Sequence, residues 1–222
     1  MKKAPLFLVK FGKEEHIDDL MKGNIYMNTV SFFQKIKDNK IRGDSYENNT
    51  YLASPKESNI MINGIVIKDI VQSVGIYSPK DDNNKYTHLF SASAVYKEDA
   101  LNDGDNIFDN RVKEFGDTIL VIHNLNEFST RLNRAIKKSD FYTISASNVE
   151  YLPSFFDGKV DLFNKLDEYA WQKEWRLAIG SNTKEPFKIN VGSIEDISKK
   201  IKISEFKNKM VEQNKELNFY FS

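Results

Sequence analysis

Short apolar runs rich in β-branched residues recur along this chain, and too few helix-like stretches separate them for regular strand–helix–strand alternation. Residues 6–11, 24–29, 71–77, 88–95, 142–151 and 187–191 read as strands. Asp117-Thr-Ile-Leu-Val-Ile-His123 is the strongest, being short, apolar and β-branched. Asn59-Ile-Met-Ile-Asn-Gly-Ile-Val-Ile67 spells a hairpin, because Asn63-Gly64 accepts the positive φ of a type I′ turn. Helices are predicted over 13–22, where Ile17, Leu20 and Met21 have helical spacing before Gly23, and for one turn from Ser31. Another runs from a cap at Asn126 to Lys138, with Phe128, Leu132, Ala135 and Ile136 inward. Residues 35–49, 78–84 and 97–110 read as loops. Residues 193–206 read as helix and polar tail, and 219–221 as a last edge strand. The expected fold class is α+β: a mixed, largely antiparallel sheet core with a few peripheral helices. It is expected as a single domain over 1–222, with 192–222 as a C-terminal helical and edge-strand appendage.

Composition narrows the classes of function. Lys plus Arg (32) equals Asp plus Glu (32), which argues against nucleic acid as a partner held by bulk charge. There is no cysteine, so disulfides, thiolate metal sites and a cysteine nucleophile are excluded. His16, His88 and His123 are far apart in sequence and do not spell a metal box, so no metal is expected. The apolar run near the N-terminus covers only Leu6 to Val9, too short for a signal peptide core or a membrane span. A cytoplasmic protein that does not enter membranes is expected.

The segment Phe163-Asn-Lys-Leu-Asp-Glu-Tyr-Ala-Trp-Gln-Lys-Glu-Trp-Arg-Leu-Ala-Ile179 carries the densest mixture of aromatics and charges. It reads as a helix ending near Glu174 that passes into a strand. On that reading Lys165, Glu168 and Gln172 share a helix face, and Trp171 and Trp175 share another. On the strand, Glu174 and Arg176 alternate with Trp175 and point the same way. Two readings stay open: a core anchored by tryptophans with structurally paired charges, or Glu174 and Arg176 at the mouth of a cleft orienting a polar ligand. Arg42-Gly-Asp44 with Glu47 similarly reads either as a turn with Gly43 at positive φ or as a charged loop over that same cleft.

The order of these signatures resembles a bacterial and phage protein family related to the abortive-infection protein AbiGi. It is carried by Val9-Lys-Phe-Gly12, Ile25-Tyr-Met-Asn-Thr-Val-Ser-Phe-Phe33, Arg42-Gly-Asp…Glu47, Glu114-Phe-Gly-Asp117, Val149-Glu-Tyr151 and Phe163-x-Lys165…Gln172-x-Glu174-x-Arg176. The resemblance spans most of 10–179 and implies a role in phage–host conflict, as defence or counter-defence. More distantly the chain is similar to DarT-like ADP-ribosyltransferases, which implies NAD as cofactor. Lys10 would then take the ribose-orienting position, where those enzymes have His or Arg, and Tyr26 a ring-stacking one. Glu174 would be the catalytic carboxylate, with Arg42 and Arg176 lining the cleft. The alternative is a catalytically inert binding protein, such as a phage-encoded inhibitor of a host defence complex, with a protein partner and a structural Glu174.

Overall fold

The computed structural model describes residues 4–36, 41, 42, 44, 46, 49–53, 60–62, 65–67, 74–76, 86–102, 107–139, 141 and 143–206. In chain order the elements are β1 (Phe7–Gly12), α1 (Glu14–Met21), β2 (Asn24–Thr29), α2 (Val30–Lys35), β3 (Tyr51–Ala53), β4 (Ile60–Ile62), β5 (Ile65–Ile67), β6 (Val74–Ile76), β7 (Tyr86–Val95) and α3 (Lys97–Asn102). They continue with β8 (Thr118–Ile122), α4 (Leu125–Ile136), β9 (Thr143–Asn148), β10 (Glu150–Leu152), β11 (Gly158–Lys159), β12 (Asn164–Leu166), β13 (Glu174–Ser181), β14 (Phe187–Asn190) and β15 (Ser198–Lys202). The fold is α+β, built on an antiparallel eight-stranded sheet.

Strand β7 organises that sheet. Strand β13 pairs along one edge of it from Ser181↔Tyr86 to Glu174↔Ser93, and β9 continues outward from β13. The opposite edge of β7 is shared: β1 pairs at Ser93 to Val95, and β2 at His88 and Leu89. The sheet therefore divides beside Ser91, with β8 and β15 continuing from β1 and with β14 continuing from β2. One face is covered by α1 and α4, whose Ile17, Leu20, Phe128, Leu132 and Ile136 pack on Leu8, Phe90, Ala92, Leu120, Leu177 and Ile179. On the other face, Val9, Phe11, Val95 and Ile119 form one cluster and Val30, Leu89 and Ala178 another. Gly23 locks the start of β2 against the end of β14. Its φ is 91°, and a Cβ there would sit 1.9 Å from the Gly192 carbonyl oxygen.

Most predicted strands form. The expected hairpin is present as β4 and β5, paired Ile62↔Ile65, while its turn residues lie outside the described residues. So do the expected loop at 78–84, the edge strand at 219–221, and Gly43 and Glu47.

Several expectations need correction. The stretch 97–110 is not all loop, because α3 forms at its start. Glu98 and Asp99 stand in the first turn, where carboxylates suit a helix N-terminus, and the Asp99 carboxylate accepts from the Tyr96 N–H at 3.0 Å. Helix α4 is capped by Asn124 rather than Asn126, its Oδ1 accepting from the Glu127 N–H at 3.1 Å. The strand expected over 142–151 is two strands, β9 and β10. Of the helix and polar tail expected over 193–206, the described helix covers only 203–206, and before it a 3-10 turn at Glu195–Ile197 leads into β15, which pairs antiparallel with β8. Residues 198–202 are thus part of the main sheet.

The helix expected from Phe163 to Glu174 is the largest difference. Residues Asn164–Leu166 form β12, parallel to β10, and only Asp167–Gln172 winds into a 3-10 helix. Lys173 then takes a left-handed conformation, φ 46°, and turns the chain into β13. Packing explains the break. Trp171 packs in the cluster around Val9 and Phe11, whereas Trp175 packs on the helix-covered face, and a continuous helix would put both on one side.

Candidate functional site

Strand alternation sends Glu174 and Arg176 to the face opposite Trp175, as the sequence implied. They stand beside Ser93 and Ser91 on β7, while Ala178, next in the row, packs with Leu89. Lys165, from β12, reaches the same spot because the 3-10 helix folds back over the sheet. The Glu174 Oε1 accepts from the Arg176 Nε at 2.8 Å, and its Oε2 lies 2.8 Å from the Lys165 Nζ. Both carboxylate oxygens are thereby engaged.

A second layer of hydrogen bonds holds the cations. The Lys165 ammonium also donates to the Gln172 Oε1 at 2.8 Å and sits 5.1 Å from the Tyr169 ring centre. The Gln172 Nε2 donates to the Ile41 carbonyl at 3.0 Å, tying Ile41 to the cluster. The Arg176 Nη1 donates to the Leu162 carbonyl. The Tyr151 hydroxyl accepts from the Glu174 N–H at 2.7 Å, and the Ser93 hydroxyl donates to the Gln172 carbonyl at 2.7 Å. Exposure is 5% for Lys165, 7% for Glu174 and 1% for Arg176, so the cluster is enclosed.

Enclosure fixes the charge states. Burial alone would raise the Glu174 carboxyl, but Arg176 and Lys165 outweigh it and hold the group well below the usual carboxylate range. Burial, with the Glu174 charge beside it, pushes the Tyr151 phenol well above its ordinary value. A carboxylate held ionised with both oxygens occupied is poorly placed to take a proton or bind a sugar hydroxyl.

The other candidates are not gathered around Glu174. Lys10 pairs with Leu120 across β1 and β8, and so points to the helix-covered face, the opposite side of the sheet from the Glu174 carboxylate. Its Nζ donates to the Ser91 carbonyl at 2.6 Å and lies 4.9 Å from the Phe90 ring centre. Burial pushes its ammonium down to about 8, partly offset by the Glu174 charge. Lys10 thus supplies a donor to β7 where β1 and β2 part. Tyr26 lies on the Glu174 side of the sheet, since Ile25 and Met27 face the helices, and it is 50% exposed with its hydroxyl accepting from the Asn28 Nδ2 at 3.3 Å. Arg42 is exposed, and neighbouring Asp44 is buried, its carboxylate accepting from the Tyr46 N–H at 2.8 Å in a local turn.

As placed, these residues do not fit a nicotinamide dinucleotide. The carboxylate has no unengaged oxygen, and the lysine that would orient the ribose is behind the sheet. A shallow depression lies elsewhere, lined by Phe11, Phe108, Val112, Ile119, Ile203 and Phe206 among others, and none of the five candidates borders it. Among the described residues no three His, Asp or Glu side chains converge as metal ligands, and no helix is long and apolar enough to cross a membrane.

Sequence reasoning missed Lys165 as the second partner of Glu174 and Tyr151 as the hydroxyl behind it. The signal for both was present: Lys165, Gln172, Glu174 and Arg176 are the polar residues of the quoted Phe163-to-Arg176 string, and Tyr151 closes Val149-Glu-Tyr151. Comparison with protein-family models, curated proteins and solved structures finds no match for this chain.

Proposed function

We propose that this chain is a catalytically inert binding protein of phage–host conflict that acts on a protein partner, with the Glu174 cluster serving as an internal strut. The observation that carries this reading is the commitment of both Glu174 oxygens to Arg176 and Lys165 in an enclosed site. A catalytic carboxylate must meet substrate, and this one meets only its own chain. The balanced charge and the order of motifs favour a protein target over nucleic acid. The test is nicotinamide release from NAD by the purified chain and by Glu174→Gln. Neither is expected to release nicotinamide above buffer. Release by the wild type that Glu174→Gln abolishes, with the fold retained, would establish the NAD-dependent transferase reading instead.

One observation favours that second reading. The sheet divides beside Ser91 with Lys10 at the division, and the two halves carry Tyr26 and Phe11 on the Glu174 side. Binding there would first require Glu174 to release Lys165 or Arg176, an opening that would leave a buried charge unpaired.

A further inference from the structure

Among the described residues the main sheet has three outer strands, β14, β15 and β9, and they differ in how their edges are guarded. Strand β15 reads Ser-Lys-Lys-Ile-Lys, with Lys200 and Lys202 paired to Glu14, Asp18 and Asp117. Strand β14 carries Lys188, paired to Asp19 at 2.7 Å. Such charges are the usual protection against edge-to-edge association, because a second copy of the same edge brings like charges together. Strand β9 reads Thr-Ile-Ser-Ala-Ser-Asn, with neither a charge nor a proline over its six residues. Ile144, Ser145 and Ala146 are exposed, Ile144 at 45%, and among the described residues β9 has one hydrogen-bonded neighbour, β13.

We propose that β9 is a dimerisation edge, and that its occupant is β9 of a second copy of this chain, paired antiparallel across a two-fold axis to make one continuous sheet. The strand is self-complementary in that arrangement. With Ser145 opposite its own counterpart, alternation is preserved: Ile144 meets the partner's Ala146 on the helix-covered side, and the serines keep to the other. The backbone N–H and C=O groups on the outer side of β9 gain a ladder, and Ile144 loses contact with water. Neutrality removes the self-repulsion that the lysines impose at β14 and β15.

Sedimentation velocity of the full chain from about 1 to about 200 μM tests this, a range that populates a dimer of micromolar Kd. The wild type is expected to pass from monomer to dimer. Ser145→Lys and Ser145→Glu, each placing like charges opposite one another at the axis, are each expected to weaken the dimer about tenfold or more, with thermal midpoints equal to the wild type's at concentrations where the wild type is monomeric. An equimolar mixture of the two is expected to restore it, an outcome that a folding defect does not give. A wild type that stays monomeric throughout the range, or a dimer that neither substitution weakens, overturns the proposal.

Discussion

Glu174 is held by groups from three parts of the chain: Arg176 two positions along its own strand, Lys165 from β12 and the Tyr151 hydroxyl from β10. Removing its charge leaves two buried cations facing one another. Glu174→Gln is therefore expected to cost about 3–5 kcal/mol, measurable by urea unfolding. Replacing the set with apolar residues of similar size (Lys165→Met, Glu174→Leu and Arg176→Met together) is expected to cost less than the single change, because no unpaired charge remains. Glu174 also sets an acid limb. Its carboxyl is lower in the folded state than in the unfolded chain, near 4.3, so its contribution is present above that value and is lost as pH falls through the folded one. Lys10 adds a rise of the same sign at the basic end: its folded value is about 8 against 10.5 for the free group, so the unfolded chain binds more protons between those limits and stability rises across them. Comparing urea midpoints from pH 7 to 10.5, Lys10→Met is expected to lack that rise. The shared face of Glu174 and Arg176 was legible because strand alternation is local. The contact of Lys165 with Glu174 was not, since it depends on a left-handed turn at Lys173, a residue whose type gives no hint of positive φ.

At the scale of elements, the strands were legible because β-branched runs announce themselves without tertiary help, and β2, β8 and the β4–β5 hairpin came out where the pattern put them. Helix ends were harder. Asn124 and Asn126 both precede an apolar-periodic stretch, and the choice falls to Asn124 because Leu125 packs inward as part of the helix. Asn124→Ala is expected to lower stability by about 1 kcal/mol and Asn126→Ala by much less, read from thermal unfolding. The 163–174 stretch misled because its apolar spacing fits a helix equally well, and only the opposite destinations of Trp171 and Trp175 decide against one. Gly23 joins α1, β2 and β14 at one point, through the Val191 N–H donating to its carbonyl at 2.9 Å. Gly23→Ala meets both a disfavoured φ and the Gly192 backbone, and is expected to cost well over about 1 kcal/mol.

Across the whole molecule, one antiparallel sheet separates two chemistries. The helix-covered side is largely apolar, with Lys10 at the division beside Ser91 and His88 buried between Phe187 and Ser181, and the other side holds the Glu174 cluster, tied to the 3-10 helix through Gln172 and to the Ile41 carbonyl. Sequence named Lys10 and Glu174 as partners in one site. Register places them back to back, something no local pattern could reveal because it depends on which residue of β1 meets which residue of β8 and β7. Among the described residues the charged cluster is enclosed by its own chain. The most direct measurement is thermal unfolding of the intact chain with and without NAD at about 5 mM, since a ligand bound only by the folded state raises the midpoint with the logarithm of its excess over Kd. A closed cluster predicts no change in midpoint for the wild type. A midpoint that climbs with NAD, and no longer climbs in Glu174→Gln, would show that the site opens and that Glu174 meets a ligand after all.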